Sequence, residues 1–290
     1  MIRDLNTLTG PVLIFGGPYS NLHATTALLE LAERRGIPAN NMICTGDIIA
    51  YAGDPSDTLD AIIHSQVHVV MGNCEESFGS KGDDCGCGFE EGSDCDVLSR
   101  QWYAYADSTL SPNQRLWMRG LPNHLRFSLN GYRFAVIHGG VRDISRWIFQ
   151  STPEDVKRHE IGELEGIDPV DGVIAGHCGL PFVDNLGDKV WINPGVVGMP
   201  ANDGTPKTWY AILEPTTDGI SIDLQTLDYD FEGAAERMKT LSLATAYAET
   251  LVTGLWPNMD VLATEERQQV GEAIEPRKIH WAPSRSVAAE

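Results

Sequence analysis

The sequence predicts an α/β fold built around a mainly parallel core sheet. Apolar strand-like runs alternate with helical patterns through the first third of the chain, which is the signature of parallel strands joined by helical crossovers. At least five of those runs end in a polar, glycine-bearing turn, and the 290 residues contain no repeat, low-complexity tract or Pro/Gly/Ser-rich linker. A single domain over residues 1–290 is therefore expected.

The first strand is PVLIF (Pro11 to Phe15), and the glycine turn after it opens an apolar-periodic helix from about Leu22 to Arg35. NMICT (Asn41 to Thr45) is the second, followed by Gly46-Asp47 and a helix from about Pro55 to Ser65. VHVVM (Val67 to Met71) is the third and runs into GNCEES. RFAVIHGG (Arg133 to Gly140), DGVIAGHCG (Asp171 to Gly179) and KVWINPG (Lys189 to Gly195) repeat the design later. Between the two groups lie a cysteine-rich insertion at about 74–96 and two helices, the second opened by Ser111 as cap and Pro112 as first helical residue. The tail, about 229–290, reads as helical, punctuated at Gly254 and Pro257.

Lys and Arg number 21 against 41 Asp and Glu, a net charge of −20, which opposes any non-specific attraction to nucleic acid or anionic lipid. The N-terminal stretch lacks the basic start and apolar core of a signal peptide, and no window reaches the length of a spanning helix. A cytoplasmic protein without nucleic-acid or membrane partners is expected. In that compartment six cysteines suit buried thiols, metal ligands or reactive groups better than disulfides.

In parallel sheets ligands collect at the carboxyl ends of strands, and the polar groups at those ends are Asp47, Asn73, His138 and His177. One carboxylate, one amide oxygen and two imidazoles suit a borderline divalent or ferric ion. Each residue alone has an ordinary explanation, as a helix cap or a hydrogen-bonded polar group. Four at the same position in four strands do not.

These motifs resemble the calcineurin-like metallophosphoesterases, in particular a bacterial phosphodiesterase-like branch. The matching stretches are GDIIAYAGDP (46–55), GNCE (72–75), HGG (138–140), GHCGLPFV (176–183), NPGVVGMPANDG (193–204) and the closing strands in ILEPTTDGISIDLQTLDYD (212–230). The resemblance implies a four-layer α/β/β/α sandwich and a dinuclear centre at which metal-activated water attacks a phosphoester. It implies that Asp47 bridges two metals and contributes directly to catalysis, while Asn73, His138 and His177 complete one metal position and Asn73 also contacts substrate. The other position departs from the family. Its D-x-H turn reads Gly17-Pro18-Tyr19, and the last His of G-H-x-H is Gly179. The usual G-N-H acid is Cys74, a thiol that can donate a proton but brings no positive charge.

Cysteines enter where these ligands are lost. Cys74 and Cys178 lie in adjacent site turns, and Cys85, Cys87 and Cys95 follow in DDCGCGFEEGSDC. These five and Tyr19 are the candidate ligands of an altered position, either a thiolate-bound second metal such as zinc or an iron–sulfur cluster. The alternatives are a surface insertion with incidental thiols and a Tyr19 that simply packs against its turn. From Glu75 to Asp96 eight acidic residues face one Lys, a net of −7, which disfavours polyphosphates and favours a small phosphodiester of single charge. The function expected is that of a metal-dependent phosphoric ester hydrolase using iron, zinc or manganese. The competing reading is a non-hydrolytic metal, iron–sulfur or redox sensor on the same fold. The oligomeric state is not legible.

Overall fold

A computed structural model describes residues 1–241, 243 and 245–283. The strands are β1 (Ile2–Leu8), β2 (Val12–Phe15), β3 (Met42–Cys44), β4 (His68–Val69), β5 (His124–Leu129), β6 (Tyr132–Val136), β7 (Gly172–Ile174), β8 (Pro181–Asn185), β9 (Val190–Pro194), β10 (Thr208–Pro215), β11 (Ile220–Leu227) and β12 (Arg277–Trp281). They form two six-stranded mixed sheets, ordered β1-β5-β6-β7-β9-β8 and β12-β11-β10-β2-β3-β4.

The helices are α1 (Leu22–Arg34), α2 (Pro55–Ser65), α3 (Asn73–Ser80), α4 (Asp94–Thr109), α5 (Pro112–Arg119), α6 (Glu154–Glu165), α7 (Phe231–Thr240), α8 (Thr245–Thr253) and α9 (Thr264–Gln268). Strand alternation sorts the apolar residues into three cores. Ile14, Ile43, Trp209 and Ala211 pack between the sheets against Phe127, Phe134, Val136 and Ile192. The opposite face of the second sheet, with Leu13, Phe15 and Ile212, meets Leu28 of α1, Leu59 of α2, Trp102 of α4 and Met238 of α7. The outer face of the first sheet, with Val173 and Trp191, meets Ile161 and Leu164 of α6. The layers therefore run α/β/β/α, as the resemblance implied.

The parallel pairs β2–β3, β3–β4, β6–β7 and β7–β9 bring the carboxyl ends of strands from both sheets to one rim. Three readings need correction. The cysteine-rich segment opens with a helix, α3, capped at Gly72 and held by Glu75, before its loop begins. β1 and β5 lie in polar stretches whose register pairs Ile2 with His124; with β1 exposed on both faces, neither carries an apolar run to announce it. The tail is not helical throughout. RKIHW forms β12, because Ile279 and Trp281 seat opposite Ile222 and Ile220 of β11 and bury the indole to 1% exposure. Residues 284–290 of that tail lie outside the described residues. No helix among the described residues is long and apolar enough to cross a membrane.

Candidate metal centre

Asp47, Asn73, His138 and His177 converge from the turns after β3, β4, β6 and β7, all at most 5% exposed. His138 Nε2 is the focus: Asn73 Oδ1 lies 3.0 Å away, His177 Nδ1 3.1 Å and Asp47 Oδ2 3.2 Å. Ligands about 2.1 Å from one ion stand roughly 3.0–3.4 Å from each other, depending on geometry, so these separations suit a coordination shell as well as hydrogen bonds. The ligand atoms of Asp47, His138 and His177 all lie within 4.8 Å of one another.

Two further features fit a metal. His138 Nδ1 lies 2.6 Å from the Thr45 carbonyl and donates to it, which turns the Nε2 lone pair toward the other donors. Burial and the neighbouring His138 hold the His177 imidazole down at about 3, against Asp47 and the Ser145 backbone, so it is neutral as a ligand must be. Burial works against charge on both Asp47 and His138, but their mutual attraction prevails, lowering the carboxyl and raising the imidazole.

The backbone is strained where it aims these groups. Asp47 (φ 59°) and His177 (φ 60°) both adopt the left-handed region, as does Tyr19 (φ 50°), at roughly 1 kcal/mol or more each. Glu75, to which the sequence reading gave no role, over-determines the Asp47 turn. Its carboxylate accepts from Asp47 N and Ile48 N at 2.7 Å each and from Gly72 N at 3.0 Å. Burial and the nearby Asp47 charge raise its carboxyl to about 7, opposed by the Asp47 and Ile48 amides and by His138. The available signal was its position, third in a helix opened by a glycine turn, where a carboxylate reaches back to the cap. Trp147 was also missed; its ring lies 4.2 Å from that of His177.

The other half is filled. A Cβ on Gly17 would stand 2.3 Å from Tyr19 Cε1, so the Tyr19 ring occupies the space an Asp there would need. A Cβ on Gly179 would meet the Trp256 ring at 3.5 Å, an ordinary van der Waals contact. Tyr19, Tyr51, Trp147, His177, Tyr247 and Trp256 wall an apolar recess of about 60 Å³, with no Lys or Arg among its described lining residues.

The candidate cysteines divide. Cys74, Cys85 and Cys87 come together at Asn73, whose Nδ2 is 3.6 Å from Cys74 Sγ, 3.3 Å from Cys87 Sγ and 2.8 Å from the Cys85 carbonyl. Cys95 is elsewhere, its thiol donating to Asn258 Oδ1 at 3.0 Å. Cys178 accepts from Asn193 Nδ2 at 3.1 Å, and Asn193 also binds the Gly176 carbonyl, which is how it braces the His177 turn. Cys44 is a core residue of β3. Asn73 donates an amide hydrogen to the Cys85 carbonyl and turns its oxygen to the side of His138 Nε2, so a substrate contact has to compete with both placements.

Residues 17–218 match the model of the calcineurin-like phosphoesterase superfamily domain. The uncharacterized protein MJ0912 of Methanocaldococcus jannaschii is 24% identical over 260 residues, covering 84% of this chain and 98% of the relative. The hypothetical protein PH1004 from Pyrococcus horikoshii superposes with a TM-score of 0.70 at 18% identity, over 88% of this chain and all of that one. A metallophosphoesterase from Sphaerobacter thermophilus does so with a TM-score of 0.63 at 20% identity, over 86% of this chain and all of that one. These two likenesses are of fold, and the motif-bearing match over most of the sequence sets the family: this chain belongs to the calcineurin-like phosphoesterase superfamily, a family of metal-dependent hydrolases.

Proposed function

We propose that this chain hydrolyses a small phosphodiester carrying one negative charge, using one metal ion held by Asp47, Asn73, His138 and His177. The observation that carries the reading is the convergence of three donor atoms within 3.2 Å of His138 Nε2, in a chain of the calcineurin-like phosphoesterase superfamily. A bound iron, zinc or manganese ion supplies Lewis-acid charge to phosphoryl oxygens and acidifies water.

The chain's own residues set the rest. Asp47 supplies the negative charge of the ligand set, and Glu75 fixes its turn. Trp147 packs on His177 and limits its ring motion. Cys74 stands at the acid position, but burial pushes its thiol well above the usual range, opposed by a hydrogen bond with Cys87. Esters with good leaving groups, which need little protonation, are therefore the preferred substrates. The cation-free aromatic recess and the net −7 of residues 75–96 favour a low-charge ester over a nucleotide polyphosphate.

The test is hydrolysis of bis(p-nitrophenyl) phosphate by protein loaded with manganese, iron or zinc, with Asp47→Ala as control. Turnover lost in the control is the expected result. A metal-loaded protein that turns over neither this ester nor other phosphodiesters overturns the reading. It would favour the second one, a non-hydrolytic metal or redox sensor, which draws support from the near-complete burial of all four ligands beside three thiols.

A further inference from the structure

We propose that the aromatic recess beside His177 is a subsite for a quaternary ammonium group, so that the ester this chain cleaves carries a choline-like head on its phosphate. The choice of substrate rests on the hydrolytic reading above; the ammonium subsite itself does not. The rings of Tyr19, Tyr51, Phe89, Trp147, Tyr247 and Trp256 line the recess, and His177 forms part of the same wall. Around Tyr51 the rings of Tyr19 and Tyr247 lie 4.9 and 4.8 Å away at 87° and 44°, a set of inclined rings and not a parallel stack. Trp256 is tied in place by polar groups elsewhere. Its indole Nε1 donates to the Pro200 carbonyl at 2.8 Å and its backbone N donates to Asn202 Oδ1 at 2.7 Å, so the ring is positioned in advance of a ligand.

What such a wall can hold follows from charge and hydrogen bonding. Aromatic faces attract a cation, the more so as it is stripped of water. No Lys, Arg, Asp or Glu stands among the described lining residues. A primary ammonium or guanidinium would therefore find no carboxylate to take its hydrogens, and Asn258 Oδ1 already accepts from the Cys95 thiol. A trimethylammonium has no such hydrogens to pair. The entrance supplies the sign of the charge. A cleft of about 730 Å³ shares Phe89, Cys95, Trp147 and Val261 with the recess, and Glu90, Glu91, Asp94 and Asp260 line it against Arg267 alone. Arg267 is turned to the carbonyls of Leu262, at 2.9 Å, and Asp260, at 3.2 Å. Exposed carboxylates act over about 10 Å, so they draw a cation to the entrance and the rings hold it. A neutral aryl or alkyl group gains nothing from them. With the head among the rings, the choline oxygen stays on phosphorus. Water attacks phosphorus and the bond to the other alcohol oxygen breaks; one water proton passes to the departing alcohol and the other stays on the phosphocholine formed.

The test has a binding arm and a turnover arm. In calorimetry on the full-length protein, choline should bind about tenfold or more tightly than its neutral isostere 3,3-dimethylbutan-1-ol. Trp256→Leu should lose about tenfold of the choline affinity, while Tyr247→Phe, which keeps its ring, retains most of it. Equal affinity for choline and the isostere, or no measurable binding of choline, overturns the proposal. Should Trp256→Leu fail to fold, the wild-type comparison decides. In the metal-loaded protein, p-nitrophenyl phosphocholine should turn over with a kcat/KM about tenfold or more above that of p-nitrophenyl 3,3-dimethylbutyl phosphate, which has the same leaving group. Selective choline binding with neither ester cleaved keeps the ammonium subsite and removes the hydrolytic reading. Both esters cleaved alike, with no preference for choline, does the reverse. Competition with choline by glycerophosphocholine marks a soluble source of the head, and competition by phosphatidylcholine vesicles alone a membrane source; either supports the subsite.

Discussion

The two halves of the centre differ in what fills the space between strand ends. In one half, polar donors converge on His138 at 3.0–3.2 Å and the backbone is held in strained turns to keep them there. In the other, a Tyr19 ring fills the place of a ligand at Gly17, and Trp256 covers Gly179. One half gathers polar donors and the other is packed with aromatic rings, although both lie on the same rim. Losing ligands therefore need not mean decay. Aromatic rings occupy the space, and the buried thiols of Cys74 and Cys87 lie nearby at Asn73.

The comparison is broken most severely by attacking the first half. Asp47→Ala or His177→Ala should strip the retained metal and lower hydrolysis by about a thousandfold or more, since the ion's Lewis-acid contribution is several kcal/mol. Metal content by emission spectroscopy and turnover check it; full content in both variants would contradict the ligand assignment.

Glu75→Ala leaves three buried amides, those of Gly72, Asp47 and Ile48, without their acceptor. A loss of about 3 kcal/mol in chemical denaturation is expected, with weakened metal affinity, because the strained Asp47 turn loses what holds it. A third change sharpens the other side. Gly17→Asp alone should cost about 2 kcal/mol by overpacking against Tyr19, and Gly17→Asp/Tyr19→His should recover most of that loss, as judged by melting temperature. If the single change is as stable as wild type, Tyr19 is not filling the site.

The smallest effect belongs to a pair remote from both halves. Asp171 is opposed by burial, but its hydrogen bonds from the Arg133 side chain and backbone win and hold its carboxyl below the ordinary 3.8. Its contribution is present above that value and lost as pH falls through the lower folded one. Solvent screening keeps it under about 1 kcal/mol, so Asp171→Asn should flatten only the acid limb of the stability profile.

How much of this was legible follows from what each feature needs. Asp47, Asn73, His138 and His177 could be read because strand-end position repeats in sequence and each site group ends an apolar run. Helix α2 matched its expected bounds, Pro55–Ser65, because Pro at its start and the apolar period mark it. β12 could not be read, since its partner β11 lies 50 residues away and only Ile279 and Trp281 enter the core. Sorting the cysteines was equally out of reach. Cys95 and Cys87 are neighbours in sequence, yet one meets Asn258 and the other Asn73, and only the folded loop decides. From sequence Tyr19 reads as a packing residue with ligation as the alternative, and the fit of its ring against Gly17 favours packing.

The most direct test of the two-halves account is a crystal of the manganese-loaded protein measured for anomalous scattering. One peak enclosed by Asp47, Asn73, His138 and His177, with the Tyr19 ring in place beside Gly17, is the predicted result. A peak lying between Gly17 and Gly179, or none among the four donors, would contradict it.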